Sequence, residues 1–411
     1  MKQKLITVLS CSILFTFYFS YGQLDELKKS TLKAKAMLQV AEGTILPGAL
    51  HTEKYVPMLK NKTIAIVANQ TSLINKTHLV DSLKSLKIKI KCVFAPEHGF
   101  RGDTEAGGDI TSTIDAKTKL PVISIYGKKN KPSPEDLKGV DYVVFDIQDV
   151  GARFFTYIST LEYVMDACAE NKVKLIVLDR PNPNGFYVDG PVLDKNFRSF
   201  VGRQSVPIVY GLTIGEYAMM LNGENWLDCK KKCDLTVIEC SNYDHSKLYS
   251  LPVPPSPNLP NMNAIYLYPS LCLFEGTGVS VGRGTDKPFQ IIGTPDSTIK
   301  GYMFTPKKIS HVAENPPFEN QKCYGMDLTK SATSILSLKK IELKWLIGFY
   351  RNNNNQSKFF NSFFDKLAGT DQLRIMIQTD KPETEIRKSW ETDLKTYKAI
   401  RKKYLLYLDF E

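Results

Sequence analysis

Residues 93–103 read VFAPEHGFRGD. An apolar run gives way at Pro96 to Glu97, His98, Arg101 and Asp103, spaced by Gly99 and Gly102. A carboxyl and an imidazole side by side can move a proton, and a guanidinium can hold an anion. Taken alone, Glu97 and Arg101 would as readily form a loop ion pair. A second polar cluster lies in FDIQDVGARFFTY (145–157), with Asp146, Gln148, Asp149, Arg153 and Tyr157. Asp146 falls inside a strand pattern, where it could pair structurally. Asp149 stands beyond the strand and ahead of a helix start, a favourable place for an anion. Arg153 suits a bidentate grip on a substrate carboxylate, or neutralisation of Asp149. DRPNPNG (179–185) is a rigid turn in which Arg180 and the amides of Asn182 and Asn184 could meet sugar hydroxyls.

These clusters follow a rhythm of short apolar runs: TIAIVAN (63–69), IKCVFA (90–95), PVISIYG (121–127), YVVFDI (142–147) and KLIVLD (174–179), with LTVIEC (235–240) as a further candidate. Stretches of helical length separate them. Ser133 before Pro134 and two acids marks one helix start, and Thr213 with Glu216 forms a capping-box pattern at another. Phe154, Tyr157, Ile158, Leu161, Val164, Met165 and Cys168 recur at helical spacing. Apolar strands alternating with helices predict a parallel α/β sheet. In such sheets ligands bind outside the carboxyl ends of the strands. Asn69 and Gln70, Glu97 and His98, Gln148 and Asp149, and Arg180 and Asn182 all follow strands, so together they predict one wall of a cleft.

At 411 residues the chain is long enough for two domains. LPVPPSPNLPN (251–261) is too rich in proline for a helix or central strand, and is expected to cross the surface between domains. The expected division is 1–22, then 23–250 as a Rossmann-like catalytic domain with a helical lead, then 251–411 as a smaller α+β domain. In the last, EGTGVSVGRGTDKPF (275–289) lacks the lysine of a phosphate loop, and Pro288 spoils the helix such a loop needs. Glu275, Arg283 and Asp286 are expected to reach the cleft from there. One acid and basic helix is expected over about 383–405, with Trp390, Leu394, Tyr397 and Tyr404 on one face.

The first 22 residues have a basic start, an apolar stretch and small residues at Ser20 and Gly22, the pattern of a secretory signal peptide. Export to the periplasm or cell exterior is therefore expected, with no membrane span in the mature chain. Loss of Lys2 and Lys4 takes the formal charge from +11 to +9. That favours anionic partners such as cell-wall polymer, although no aromatic-interleaved basic stripe suggests nucleic acid. Of eight cysteines, Cys11 belongs to the signal, and Cys229 and Cys233 could pair after export. No ligand spacing suggests a metal, and no motif a cofactor. A typical α/β-hydrolase triad is unsupported.

APEHGFRGD, FDIQDVGARFFTYISTL, LDRPNPNG, VDGPVLD, PIVYGLTIGEYAMMLNGE, PPSPNLPN and LYPSLCLFEGTGVSVGRGTDKPFQIIG occur in this order. Together they resemble the exo-β-N-acetylmuramidases of the NamZ (YbbC-like) family over roughly residues 45–410. The resemblance implies a Rossmann-like domain, a smaller C-terminal domain, and a cleft between them. It implies release of N-acetylmuramic acid from the non-reducing end of peptidoglycan fragments, with Glu97 matching the glutamate favoured as catalytic. Glycoside cleavage needs an acid for the leaving oxygen and a second group opposite. Glu97 beside His98 is the expected acid; Asp149, then Asp146, is the expected second carboxylate, unless the substrate's acetamide serves. Arg153 or Arg283 would bind the lactyl carboxylate, with Arg101 and Tyr157 among the residues expected to contact substrate. The rival readings are a wall-glycan binding protein without turnover, and an exported esterase or amidase acting on wall peptides.

Overall fold

The structure, a computed structural model, describes residues 43–102, 112–297 and 299–411. The signal peptide, most of the lead to the first strand, and Asp103 lie outside the described residues. Everything below concerns the compact unit Pro47–Glu411.

The apolar runs become strands β1 (Thr63–Ala68), β4 (Lys89–Ala95), β6 (Pro121–Ser124), β7 (Tyr142–Asp146), β8 (Lys174–Leu178) and β9 (Leu235–Ile238). Between them come a hairpin, β2 (Leu73–Ile74) with β3 (Thr77–His78), and an edge strand, β5 (Thr113–Ile114). The main sheet runs β5-β6-β4-β1-β7-β8-β9; β5 is antiparallel and the other neighbours are parallel. In sequence order the six parallel strands lie 3-2-1-4-5-6, the Rossmann order, which reverses between β1 and β7.

Alternation along each strand explains why both faces are covered. Ala65, Val67, Val143, Phe145, Leu175 and Val177 point into one core, under helices Tyr157–Asn171 and Ile214–Gly223. Ile64, Ile66, Val144, Ile176 and Leu178 point into the other, under Thr52–Leu59 and Leu79–Ser85. A strand buried on both faces must be apolar throughout, which is why these runs stood out in the sequence. The caps form as expected: Ser133 and Thr213 each close a capping box, with Asp136 and Glu216 respectively.

Beyond residue 261 lie helix Met262–Leu271 and a three-stranded antiparallel sheet of β10 (Ile291–Thr294), β11 (Tyr302–Phe304) and β12 (Cys323–Asp327). A set of short helices follows. The single helix expected over 383–405 is instead Glu383–Lys388 and Glu391–Arg401 with a terminal 3-10 turn. Trp390, at φ −110°, leaves helical geometry and buries its ring between them. Cys229 and Cys233 are not joined, and Cys233 lies within hydrogen-bond reach of Cys168 instead. Among the described residues no helix is long and apolar enough to cross a membrane, and no group of three or more His, Cys, Asp or Glu side chains could hold a metal ion.

Candidate active site

β4 ends at Ala95, and the chain turns sharply just past it. His98 (φ 71°) and Gly99 (φ 79°) are both left-handed, and the Gly99 amide donates to the Pro96 carbonyl at 3.0 Å. Glycine adopts this conformation freely, but histidine does so at a cost of roughly 1–2 kcal/mol. The turn leaves Glu97 half-buried at the wall of a cleft of about 350 Å³, within the size range of small-molecule sites.

Two hydroxyls hold the Glu97 carboxyl. Tyr126, just beyond β6, donates to Oε1 at 2.9 Å, and Thr156, preceding the first residue of helix Tyr157–Asn171, donates to Oε2 at 2.6 Å. A hydroxyl can turn round and accept, so this pair serves Glu97 with or without its proton. Behind it, Asn69 Nδ2 donates to the Tyr157 hydroxyl at 2.9 Å, and that hydroxyl donates to the Glu97 carbonyl at 3.3 Å. His98 also lines the cleft and is buried.

The facing wall comes from later in the chain. Glu275 accepts from Arg283 Nε at 2.6 Å, and the guanidinium lies 5.0 Å from the centre of the Phe289 ring. Burial works against the charge on Arg283, but Glu275 outweighs it and holds the guanidinium's pKa above its ordinary value. Arg283 is the one lysine or arginine, and Glu97 and Glu275 the two carboxylates, among the described residues lining the cleft. Phe154, Phe155 and Tyr268 supply apolar faces. Asn258 Nδ2 donates to the Val312 carbonyl at 2.9 Å, while its buried Oδ1 accepts from nothing among the described residues.

Several expected site residues serve the frame instead. Asp146 is wholly enclosed and holds Arg180 by two hydrogen bonds, 2.7 and 2.9 Å. Burial raises the aspartate's pKa against the pull of that arginine. Arg153 does not meet a substrate carboxylate: it is fully buried and donates to the carbonyls of Pro191, Val206, Leu367 and Ala368 at 2.7–2.9 Å. It thereby ties the sheet region to the C-terminal region; Gly369 allows the approach, since a Cβ there would fall 2.5 Å from Nη2. Asn182 donates to the Leu212 carbonyl and accepts from the Asn184 amide, both at 2.8 Å. Gln148 bridges the carbonyls of Asp149 and Pro181, and Gln70 those of Pro254 and Pro255. Arg101 grips Asp115 at 3.0 and 3.2 Å and lies over the Phe100 ring. Asp286 is exposed and does not line the cleft.

Asp149 is also outside the lining. It accepts from the Tyr210 hydroxyl and from the Gly151 amide at 2.7 Å, and burial pushes its pKa up to about 7. Both Asp149 and Glu97 act electrostatically on Tyr157, so the two acids share a neighbourhood.

Sequence reasoning missed Tyr126, Thr156, Ser256 and Asn258. Tyr126 follows a strand, as Glu97 does, and that position was its one signal. The proline-rich stretch does not simply cross the surface. Ser256, Asn258 and Leu259 are buried in the cleft wall, because the carbonyls of Pro254 and Pro255 are anchored by Gln70, and that of Pro255 by Tyr157 as well.

Comparison with known proteins bears on what this cleft is for. The family model described as exo-beta-N-acetylmuramidase NamZ, N-terminal, matches residues 64–263, and the model described as NamZ, C-terminal, matches residues 266–407. The chain is 35% identical over 427 residues to the peptidoglycan beta-N-acetylmuramidase NamZ of Bacillus subtilis (strain 168), covering 99% of this chain and all of that protein. This chain belongs to the NamZ family. Two crystal structures of DUF1343 family proteins from Bacteroides fragilis NCTC 9343 share its fold. One is 49% identical with a TM-score of 0.83, the other 28% identical with a TM-score of 0.74; each match covers 89% of this chain and 99% of the other. The NamZ models meet near residue 264, where the proline-rich wall gives way to helix Met262–Leu271.

Proposed function

We propose that this chain is an exo-acting glycoside hydrolase that releases N-acetylmuramic acid from the non-reducing end of peptidoglycan fragments. The observation that carries the site assignment is Glu97, the cleft carboxyl held by two reversible hydroxyls. Membership of the NamZ family supplies the substrate class. Glu97 gives its proton to the glycosidic oxygen as the bond to the anomeric carbon breaks and the electron pair leaves with that oxygen. Water adds to the anomeric carbon and its proton passes to the Glu97 carboxylate, which restores the acid. Glu275, fixed by Arg283, is the second carboxylate of the cleft and is placed to steady positive charge developing on the sugar. Arg283 Nε is taken by Glu275, and the rest of its fork is directed to the lactyl carboxylate that distinguishes muramic acid from glucosamine.

The test is release of N-acetylmuramic acid from a chromogenic β-muramide. Turnover by wild type, with release from a natural muramyl disaccharide lost in Glu97→Gln, supports the reading; saturable binding without release would leave a wall-glycan binding protein instead. Export belongs to the same proposal. The charged, apolar and small-residue order of residues 1–22 supports it, and N-terminal sequencing of secreted protein should begin near Gln23. A product that retains Met1 would overturn it.

A further inference from the structure

A second cavity, of about 620 Å³, opens elsewhere on the molecule. It is built from chain segments far apart in sequence: 191–194, Ser205, Trp226, 370–373 and 389–400. Arg153 marks the partition from the cleft. Its guanidinium binds the carbonyl of Pro191, which lines this cavity, and that of Leu367, which lines the cleft.

The lining has a definite chemistry. Trp226 and Trp390 contribute two of the three tryptophans in the chain. Trp390 is only 4% exposed and contributes its indole to the wall. Tyr397 offers ring surface alone, because its hydroxyl already donates to the Tyr210 carbonyl at 2.6 Å. Gln372 and Thr396 add an amide and a hydroxyl at exposed positions, and Asp194 and Asp393 add carboxylates. Among the described residues no lysine or arginine lines the cavity, although the chain carries a formal charge of +11.

Indole faces cover the C–H face of a pyranose ring, and amide, hydroxyl and carboxylate groups take its hydroxyls. Two carboxylates without a cation repel an anionic sugar. We propose that this cavity is a second saccharide site, one that takes a neutral N-acetylhexosamine unit of a glycan and rejects muramic acid. The inference goes beyond the reading of the Glu97 cleft and stands apart from it. The cleft presents a guanidinium to an acidic sugar, whereas the charged groups among the described residues of this cavity are acids, so the two sites sort the alternating sugars of a wall glycan by charge.

Tri-N-acetylchitotriose, which contains no muramic acid, is the probe. Titrated into full-length wild type, it should change tryptophan fluorescence saturably, with Kd on the order of 1 mM or tighter. Trp226→Ala removes one indole and Thr396→Arg fills the cavity from its exposed rim. Each should weaken binding by about tenfold or more, as loss of a stacking anchor does. Both should cleave a small chromogenic muramide within about twofold of wild type, because neither residue lines the cleft. Thr396→Arg, at an exposed position, keeps the test valid if Trp226→Ala fails to fold. Absence of saturable binding, or unchanged binding in Thr396→Arg, overturns the proposal. Competition by free N-acetylmuramic acid would overturn it too, by placing the chitotriose in the cleft. The function of the cleft is read separately, from muramide release.

Discussion

Strand ends at the middle of the sheet and toward its β6 side carry similar residues and do different work. At the ends of β1, β7 and β8, the polar groups close on one another: Asp146 on Arg180, Asn69 on Thr71 and Tyr157, Gln148 on two carbonyls. At the ends of β4 and β6, Glu97 and Tyr126 meet at the edge of open space, joined by Thr156. The polar inventory is alike; the difference is whether a complementary partner lies within reach inside the fold. Where one does, burial commits the group to structure, because an unmet buried charge costs several kcal/mol. Where the partners include hydroxyls at a cleft, the carboxyl stands at the wall a substrate would meet.

The contrast is tested most severely at Glu97. Glu97→Gln keeps size and hydrogen bonding but removes the transferable proton, so kcat on a natural muramyl disaccharide should fall by roughly 10²–10⁴ with the fold intact. The loss should shrink on a nitrophenyl muramide, whose leaving group departs without a proton. Wild-type turnover of the disaccharide by the folded variant would remove Glu97 from the reaction.

Arg180→Ala should show the opposite pattern. It strands Asp146 in the interior, and unfolding in urea should register a loss of about 3–5 kcal/mol. The surviving folded protein should cleave a muramide within about twofold of wild type. A stable variant with failed turnover would move Arg180 to the functional side of the comparison.

Asp149 separates the two sides by pH. Burial raises its pKa from 3.8 to about 7, so the folded state favours the protonated acid. The associated stability is present below about pH 4 and is lost as pH rises through 7, at up to about 1.4 kcal/mol per pH unit. Asp149→Asn cannot titrate, so its stability relative to wild type should climb between pH 4 and 7 and then level. Parallel stability profiles for the two proteins would show that this carboxyl is not held protonated by the fold.

The smallest expected effect concerns the two arginines that the sequence made equivalent. Arg283→Ala should reduce the preference for terminal N-acetylmuramic acid over N-acetylglucosamine by about 2 kcal/mol, roughly 30-fold in kcat/KM. Arg153→Ala should cost stability and leave that preference unchanged. Equal selectivity in wild type and Arg283→Ala would mean that the lactyl group is recognised by something else.

The sequence alone determined the parallel α/β sheet, since a strand covered on both faces must be continuously apolar, and chain order then placed Glu97, Asp149 and Asn182 at the same edge. It also determined the caps at Ser133 and Thr213, where the bonded groups are three residues apart, and the family, through long motifs in fixed order. Only the tertiary structure decided which polar residues remain available. Asp146 finds Arg180 34 residues away, and Arg153 finds the Leu367 carbonyl 214 residues away. No local pattern encodes such distances. The cleft's far wall was hidden for the same reason: Asn258 and Leu259 read as a surface crossing until Gln70, 184 residues before Pro254, anchored the proline-rich stretch against the sheet. Burial and partnership are properties of the packed chain, and they decide whether a carboxylate or a guanidinium braces the fold or faces a substrate.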